Sequence, residues 1–170
     1  MVDQEIYVFK NFKNPLIQKM IYEIKYNGNK STAYVLGVEL GSLIKKSKNV
    51  VDFDIIIPVP VSQLKKEHRG YNQCQLIAEG ISNIIKLPVD SNYLIRNNNM
   101  NSQIKSSRYE RWLNVENEHQ LIKELKYDTK ILLVDDVITT GATINSCFNA
   151  IQKNNKLKVT VAALAGNKFT

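Results

Sequence analysis

Two neighbouring carboxylates, Asp135 and Asp136, directly follow an apolar run at residues 131–134. A short run of branched apolar residues is typical of a strand buried on both faces of a parallel sheet. Open α/β sheets bind ligands at the carboxyl ends of such strands. A carboxylate pair repels phosphate but accepts hydrogen bonds from sugar hydroxyls. The pair therefore indicates a sugar-binding site at the end of a strand.

A turn of small residues follows the two acids and leads into an apparent helix. It contains Thr139, Thr140, Gly141, Ala142 and Thr143. The unpaired N–H groups at a helix start, with the positive end of its dipole, can hold a phosphate, and glycine lets the backbone approach it closely. Taken singly, the acids could form a turn and Thr139 could cap the helix. Together they predict a site for a phosphorylated ribose.

Two helices are predicted in the first fifty residues, before any strand. The first begins at Pro15 with Asn14 as its cap, because apolar residues recur at helical spacing from Leu16 onward. A turn at residues 27–29 ends it. Ser31 or Thr32 is predicted to cap the second helix.

The rest of the chain alternates between strand-like and helix-like patterns. Strands are predicted at residues 54–60, 93–95, 130–134 and 158–164, with helices at 76–85, 121–125 and 144–151. Polar loops are predicted between the first strand and its helix and at residues 96–116. The order predicts an α/β fold, a parallel sheet with helices on both faces. A length of 170 residues suits one domain, with a helical portion at 1–50 packed on an α/β core at 51–170.

Charge and composition limit the class of protein. The formal charge of +7 fits a partner that carries phosphates, although scattered lysines are more typical of a solvated surface. Nucleic-acid binding through this charge stays an alternative. No apolar run approaches the roughly 20 residues that cross a bilayer, so no membrane insertion is expected. The acidic start without an apolar segment predicts a cytoplasmic protein.

The two cysteines, Cys74 and Cys147, lie far apart in the sequence. Neither a disulfide framework nor a pair of metal ligands is indicated by that spacing. We expect two free thiols.

The segment at residues 131–143 resembles the diphosphoribose signature of the type I phosphoribosyltransferases, hydrophobic residues followed by paired acids and a threonine-rich turn. Four further segments are similar to the ComF family, a competence-associated and amidophosphoribosyltransferase-like branch of that superfamily. They are EIKYNG at 23–28, IPVPV at 57–61, RGYNQ at 69–73 and SRYERWLN at 107–114. The resemblance implies a type I phosphoribosyltransferase-like parallel sheet flanked by helices, with two N-terminal helices.

The resemblance also implies a reaction. The expected substrate is 5-phosphoribosyl 1-diphosphate with Mg²⁺, and the phosphoribosyl group would pass to an amine or a nucleobase nitrogen with release of pyrophosphate. Magnesium would be held mainly through the ligand, without a dedicated protein cluster. The implied catalytic residues are Asp135, Asp136 and Arg111.

Two loops are expected to assist, by the same resemblance. The implied pyrophosphate loop contains Val59, Pro60, Val61 and Arg69, and the implied flexible loop contains Gln103, Arg108, Arg111 and Asn114. Arg96 and Lys105 are further basic residues of that flexible segment, which could equally be disordered surface. Lys65 and Lys66 either meet the diphosphate or are solvated surface.

Several other side chains have plain structural interpretations. His68 and His119 are expected to be ordinary exposed histidines. Tyr71 and Trp112 could stack on a base, although covering the core is the more common role of such rings.

The chain departs from the ComF pattern in ways that bear on function. It has no N-terminal cysteine ribbon, so no zinc is expected. Met100 stands where the family usually has threonine, and His119 where an aromatic residue is frequent. No general base is evident. An alternative function is therefore a non-catalytic ribose-phosphate or nucleotide-binding domain that acts with partners in DNA uptake, and a homodimer is left open.

Overall fold

A four-stranded parallel sheet lies at the centre of the chain. The computed structural model describes residues 6–47, 52–97, 118–152 and 157–166. The sheet contains strands β1 (Ile6–Asn11), β6 (Lys158–Gly166), β5 (Lys130–Ile138) and β2 (Ile55–Pro58), side by side in that order. All three pairings are parallel. The carboxyl ends of the strands therefore meet at one edge of the sheet, as the sequence predicts.

Helices cover both faces of this sheet. The helices are α1 (Pro15–Tyr26), α2 (Lys30–Lys46), α3 (Gln63–Arg69), α4 (Gln73–Ile85) and α5 (Ala142–Gln152). Leu132 and Val134 of β5 pack with apolar residues of α1, α2 and α4. Ile131 and Leu133 point to the other face and pack with α5. The predicted α/β fold class with helices on both faces is confirmed.

The two N-terminal helices begin at asparagines. The Asn14 side chain accepts the backbone N–H groups of Leu16 and Ile17, and proline follows it at the first helical position. Asn29 caps α2 by accepting the N–H of Thr32 at 3.1 Å. The prediction of Ser31 or Thr32 as that cap was wrong by two or three residues, because Asn29 already provides the oxygen.

Helices α2 and α4 pack with their backbones in contact. A Cβ atom at Gly37 would overlap the carbonyl oxygen of Ile77, and one at Gly80 would overlap that of Tyr34. Both glycines lie on the apolar helix faces that the sequence predicts. Because glycine has no side chain, the two helix backbones can approach each other closely at these positions.

The prediction that two helices precede any strand was wrong, because β1 comes first. It pairs in parallel with β6, from Ile6 opposite Val161 to Asn11 opposite Gly166. A six-residue run of mixed polarity is a weak local signal, and its partner lies at the far end of the sequence. The N-terminal portion is therefore not only helical.

Helix α3 lies where a polar loop was expected. No residue of α3 is buried, so it has no apolar periodicity to detect. Its boundaries come from local chemistry instead. The Ser62 hydroxyl accepts the N–H of Lys65 at 3.4 Å, and Gly70 ends the helix with φ +76°.

The predicted brief helix at residues 121–125 is absent. In its place β4 (His119–Leu121) pairs antiparallel with β3 (Leu94–Arg96), in a two-stranded ribbon separate from the main sheet. Ile122 continues the pairing through its N–H to the carbonyl of Tyr93 at 2.9 Å. None of the helices in the described ranges is both long and apolar enough to cross a membrane.

Candidate functional site

Asp135 and Asp136 lie in the carboxyl half of β5. The strand continues through Ile138, so the pair is inside it, and the prediction of its end at Val134 was too short. The two residues are only 7% and 6% exposed. Buried carboxylates need partners, because removing a charge from water without compensation is costly.

Asp136 is held by two residues from different helices. Its Oδ2 lies 3.0 Å from the ammonium nitrogen of Lys25 in α1. The same oxygen accepts a hydrogen bond from the side-chain amide of Gln73 in α4, also at 3.0 Å. Gln73 in turn accepts from the Arg69 guanidinium at 2.9 Å. A continuous polar network thus connects α1, α3 and α4 to this carboxylate.

Asp135 has a different environment. Its Oδ1 accepts the backbone N–H of Asp136 at 2.8 Å and contacts the Cys74 sulfur at 3.5 Å. Burial, and then the charge of Asp136, raises the pKa of Asp135 to about 7. Burial also raises the pKa of the Cys74 thiol, which keeps its proton and donates a hydrogen bond to the carboxylate. Asp135 is therefore a carboxyl group that exchanges its proton near neutral pH.

Residues 70–72 hold the elements around the site together. The Tyr71 hydroxyl donates to the carbonyl of Ile24 at the end of α1. Asn72 caps α4 and donates its side-chain amide to the carbonyl of Val59 at 3.1 Å. Together with Gly70 at the end of α3, these contacts give every residue of the RGYNQ segment a role in holding the site.

The threonine-rich turn is open to solvent. Thr139, Thr140 and Ala142 are exposed, while Gly141 and Thr143 are partly covered. Gly141 has φ +77°, and a Cβ there would meet nothing within 4 Å. The glycine is thus required by the backbone conformation, and the space beside it is available to a ligand. Helix α5 begins at the next residue, Ala142.

Cations surround the carboxylate edge. Partial desolvation, followed by the charges of Arg96, Arg69 and Lys25, lowers the pKa of the exposed Lys65. Three further cationic side chains are therefore close enough to Lys65 for their charges to act on it. Arg96 pairs with Glu118, and Lys25 pairs with Asp136. Such a grouping favours a ligand with several negative charges.

The implied pyrophosphate loop is positioned mainly by its backbone. Val59 is buried and its N–H donates to the carbonyl of Val134 at 2.8 Å. Pro60 and Val61 are half-buried and border a cleft of about 280 Å³ that Lys66 and Arg96 also line. The side chain of Val59 faces the core, so any ligand contact there would come from the backbone.

Several residues singled out in the sequence lie outside the described residues. They are Met100, Gln103, Lys105, Arg108, Arg111, Trp112 and Asn114. Tyr71 is described and buried, as expected for a ring that covers the core, and the Lys30 ammonium lies 5.3 Å from its centroid. His68 is exposed, as predicted.

The expectation of an exposed His119 was wrong. This residue is 4% exposed, and both its backbone N–H and its Nδ1 contact the Ser146 hydroxyl, at 3.1 and 3.0 Å. Nε2 is buried and has no hydrogen-bond partner among the described residues. Burial lowers the pKa of His119 to about 4, so the ring is neutral at physiological pH. Its contacts with Ser146 join it to α5, the helix that lies against β4.

Sequence reasoning did not select Lys25, Gln73 or Cys74 as site residues. Lys25 and Gln73 both lie in segments that resemble the ComF family. That resemblance was the feature of the sequence from which they could have been selected as site residues. Cys74 was treated only as a free thiol; Cys74 and Cys147 are indeed free and buried. In the described part of the chain, no group of three or more His, Cys, Asp or Glu side chains is placed to hold a metal ion.

Comparisons with known sequences point to competence proteins. No family model matches the chain. It is 33% identical to competence protein F of Haemophilus influenzae over 115 residues, which are 66% of this chain and 50% of that protein. It is 28% identical to competence protein ComFC of Bacillus subtilis over 151 residues, 84% of this chain and 56% of the relative. The chain thus spans about half the length of these relatives.

The same similarity extends to a DNA utilization protein. YhgH of Escherichia coli K12 is 26% identical over 154 residues, which are 88% of this chain and 67% of YhgH.

Comparison with solved structures identifies the fold. Glutamine phosphoribosylpyrophosphate amidotransferase from B. subtilis matches with a TM-score of 0.52 at 18% identity, over 78% of this chain and 26% of that one. An allosteric regulatory enzyme of purine biosynthesis matches with a TM-score of 0.50 at 20% identity, over 78% of this chain and 25% of that one. At these identities the likeness concerns the fold alone.

Proposed function

Since the chain is a homologue of the ComF-type competence proteins and has the phosphoribosyltransferase fold, we propose that it binds 5-phosphoribosyl 1-diphosphate. The bound phosphoribosyl group is transferred to a nitrogen nucleophile, and pyrophosphate leaves. Asp135 and Asp136 hold the ribose hydroxyls, and the turn at 139–143 holds the 5-phosphate.

One observation supports this proposal above the others. A buried carboxylate pair, an open threonine-rich turn at a helix start and a group of cations occur at the same edge of the sheet. Sugar hydroxyls, a monophosphate and a diphosphate require these three kinds of partner. A ligand that carries all three groups satisfies the arrangement.

Magnesium fits this donor set. The contacts to Asp135 use Oδ1 and those to Asp136 use Oδ2, so each carboxylate has a second oxygen beyond these contacts. Hard oxygens of this kind, with diphosphate oxygens and water, are the ligands that Mg²⁺ prefers. When bound with the diphosphate, the ion would neutralise negative charge on the leaving group.

The protein's own contribution is positioning and charge. As the bond from C1 to pyrophosphate breaks, its electrons remain on pyrophosphate and positive charge develops on the sugar. Lys65 and Arg69 stabilise the leaving group, while the carboxylates hold the ring for attack at C1. Arg111 and its neighbours Gln103, Arg108 and Asn114 are proposed to close over the diphosphate from the segment between β3 and β4.

A non-catalytic role is the second candidate. The relatives are named for competence and DNA utilization. Asp135 and Asp136 are assigned to the ribose hydroxyls, and the other described residues offer no evident base for the incoming nucleophile. In this case the same site senses a ribose phosphate or nucleotide, and the domain acts with partners in DNA uptake.

Calorimetry with 5-phosphoribosyl 1-diphosphate, with and without Mg²⁺, tests the ligand site that both candidate functions require. We expect magnesium-dependent binding that disappears in Asp135→Asn with Asp136→Asn, while circular dichroism shows the fold retained. Unchanged affinity in that double variant would refute the site assignment.

Pyrophosphate release separates the two functions. Adenine, guanine, hypoxanthine, uracil, orotate, ammonia and glutamine are offered in turn. Turnover with one of them supports the transferase. Binding without turnover on any of them supports the sensor.

A further inference from the structure

Two exposed tyrosines lie together on α1, beside the carboxylate site. The ring centroids of Tyr22 and Tyr26 are 4.8 Å apart and their planes are inclined by 41°. The residues are 55% and 62% exposed. Tyr26 belongs to the EIKYNG segment. A pair of solvent-facing rings next to a ligand site offers an aromatic surface to a ligand.

Chain adjacency to Lys25 and one side-chain contact with Arg69 place Tyr26 near the site. Its neighbour Lys25 reaches Asp136 with its ammonium at 3.0 Å. Independently, the Arg69 guanidinium carbon lies 5.9 Å from the centre of the Tyr26 ring, and Arg69 donates to Gln73. Gln73 donates to the same oxygen of Asp136. Two side chains, Arg69 and Gln73, therefore connect the Tyr26 ring to the carboxylate.

The end of α1 that carries the ring is firmly held. The Tyr71 hydroxyl donates to the carbonyl of Ile24. The Asn27 backbone N–H donates to the Glu23 carbonyl at 3.1 Å, and its side-chain amide donates to the Glu23 carboxylate at 3.0 Å. The aromatic surface is therefore ordered in advance, which reduces the entropy cost of stacking a ligand on it.

We infer that Tyr26, supported by Tyr22, is the stacking surface for the heterocyclic base of a nucleotide whose ribose phosphate occupies the neighbouring site. This inference rests on the proposed function, because the ribose places the base. A flat, π-rich ring matches the face of the Tyr26 ring. Ammonia and the amide of glutamine offer no such ring, so the surface selects a nucleobase as the acceptor class.

The corresponding step is balanced without a further reactant. The lone pair of a ring nitrogen forms the bond to C1 as the bond from C1 to pyrophosphate breaks. The bonding electrons leave with pyrophosphate, and the proton of the ring nitrogen passes to solvent. The product is a nucleoside 5′-monophosphate, whose base would rest on Tyr26.

Paired ligands test the inference. Adenosine 5′-monophosphate carries the base and ribose 5-phosphate lacks it, so calorimetry with both, in the presence of Mg²⁺, isolates the contribution of the base. In Tyr26→Ala we expect the affinity for the nucleotide to fall by roughly tenfold. The affinity for ribose 5-phosphate should stay as in the parent protein.

Two further variants serve as controls. Tyr26→Phe keeps the ring and should keep the nucleotide affinity. Tyr127→Ala removes a ring that is 77% exposed but precedes β5, at the opposite edge of the sheet, and should change neither affinity.

The possible failures are distinguishable. If the parent protein binds ribose 5-phosphate but Tyr26→Ala leaves nucleotide affinity unchanged, the inference alone is refuted. An equal loss of both ligands would also refute it, because the ring would then act only by positioning Lys25. If the parent protein binds neither ligand, the proposed function fails and the inference fails with it.

Discussion

At the scale of single residues, Asp135 combines burial with a negative charge. Its carboxyl group has lost most of its contact with water and lies next to a second carboxylate, and both effects favour the protonated form. A group of this kind stores unfavourable free energy in the folded state whenever it is ionised. Functional sites commonly carry such a cost, because the same arrangement prepares them for a ligand.

A pH dependence of stability follows from this residue. The folded-state pKa of Asp135 is about 7, whereas an unperturbed aspartate titrates near 3.9. Between these values the folded state binds more protons than the unfolded state, so the free energy of unfolding falls as pH rises. We predict that Asp135→Asn is more stable than the parent protein at pH 8, by on the order of 4 kcal/mol, and similar to it at pH 4.

Urea denaturation at both pH values measures this difference. Asp54→Asn, a change at an exposed carboxylate, is the matched control and should show no comparable gain at pH 8. A parent protein and an Asp135→Asn variant with parallel pH profiles would contradict the prediction.

At the scale of secondary structure, the close contact between α2 and α4 depends on two glycines. Gly37 faces the Ile77 carbonyl and Gly80 faces the Tyr34 carbonyl, with no room for a methyl group at either position. Alanine normally favours a helix by about 1 kcal/mol over glycine. Here the two effects oppose each other, and the steric one is the larger.

Gly37→Ala and Gly80→Ala should therefore destabilise the protein, by about 1–3 kcal/mol each. At Gly41 the nearest atom to an added Cβ is the Ile81 Cα at 3.0 Å, so Gly41→Ala should cost less. Thermal unfolding of the three variants gives the order. Equal or increased stability in Gly37→Ala would show that the helices can separate at little cost.

Element prediction succeeded where the signal was local. The apolar faces of α1, α2 and α4 were evident from helical spacing, and the signature at 131–143 was evident because its residues are consecutive. Strand β1 and the network from Lys25 through Asp136 to Gln73 were not predicted from the residues. Their partners lie far apart in the sequence, so only the folded chain brings them together.

At the scale of the whole molecule, the buried imidazole of His119 affects stability in acid. Its folded-state pKa is about 4, against about 6.5 for an ordinary histidine. Between those values the unfolded state binds more protons, so stability is lost as pH falls below about 6.5. Asp135 has the opposite slope in this window, and the two contributions partly cancel in the parent protein.

Replacing His119 should show how much this histidine contributes to the loss of stability in acid. When pH is lowered from 7.5 to 5, we predict that the free energy of unfolding of His119→Phe falls by about 2 kcal/mol less than that of the parent protein. Denaturant titrations of the two proteins at both pH values measure this. His68→Phe, at an exposed histidine, is the control and should follow the parent. The same loss in His119→Phe as in the parent would assign acid sensitivity to other groups.

The parallel pairing of β1 with β6 has a consequence for synthesis on the ribosome. The first strand of the chain lies against the last described strand, with Asn11 opposite Gly166. While α1, α2 and α4 can associate early in translation, β1 has no neighbour until β6 has left the exit tunnel. Its unpaired backbone is therefore open to wrong partners until the residues between β1 and β6 have been synthesised. In that interval we expect chaperones to engage the nascent chain at β1.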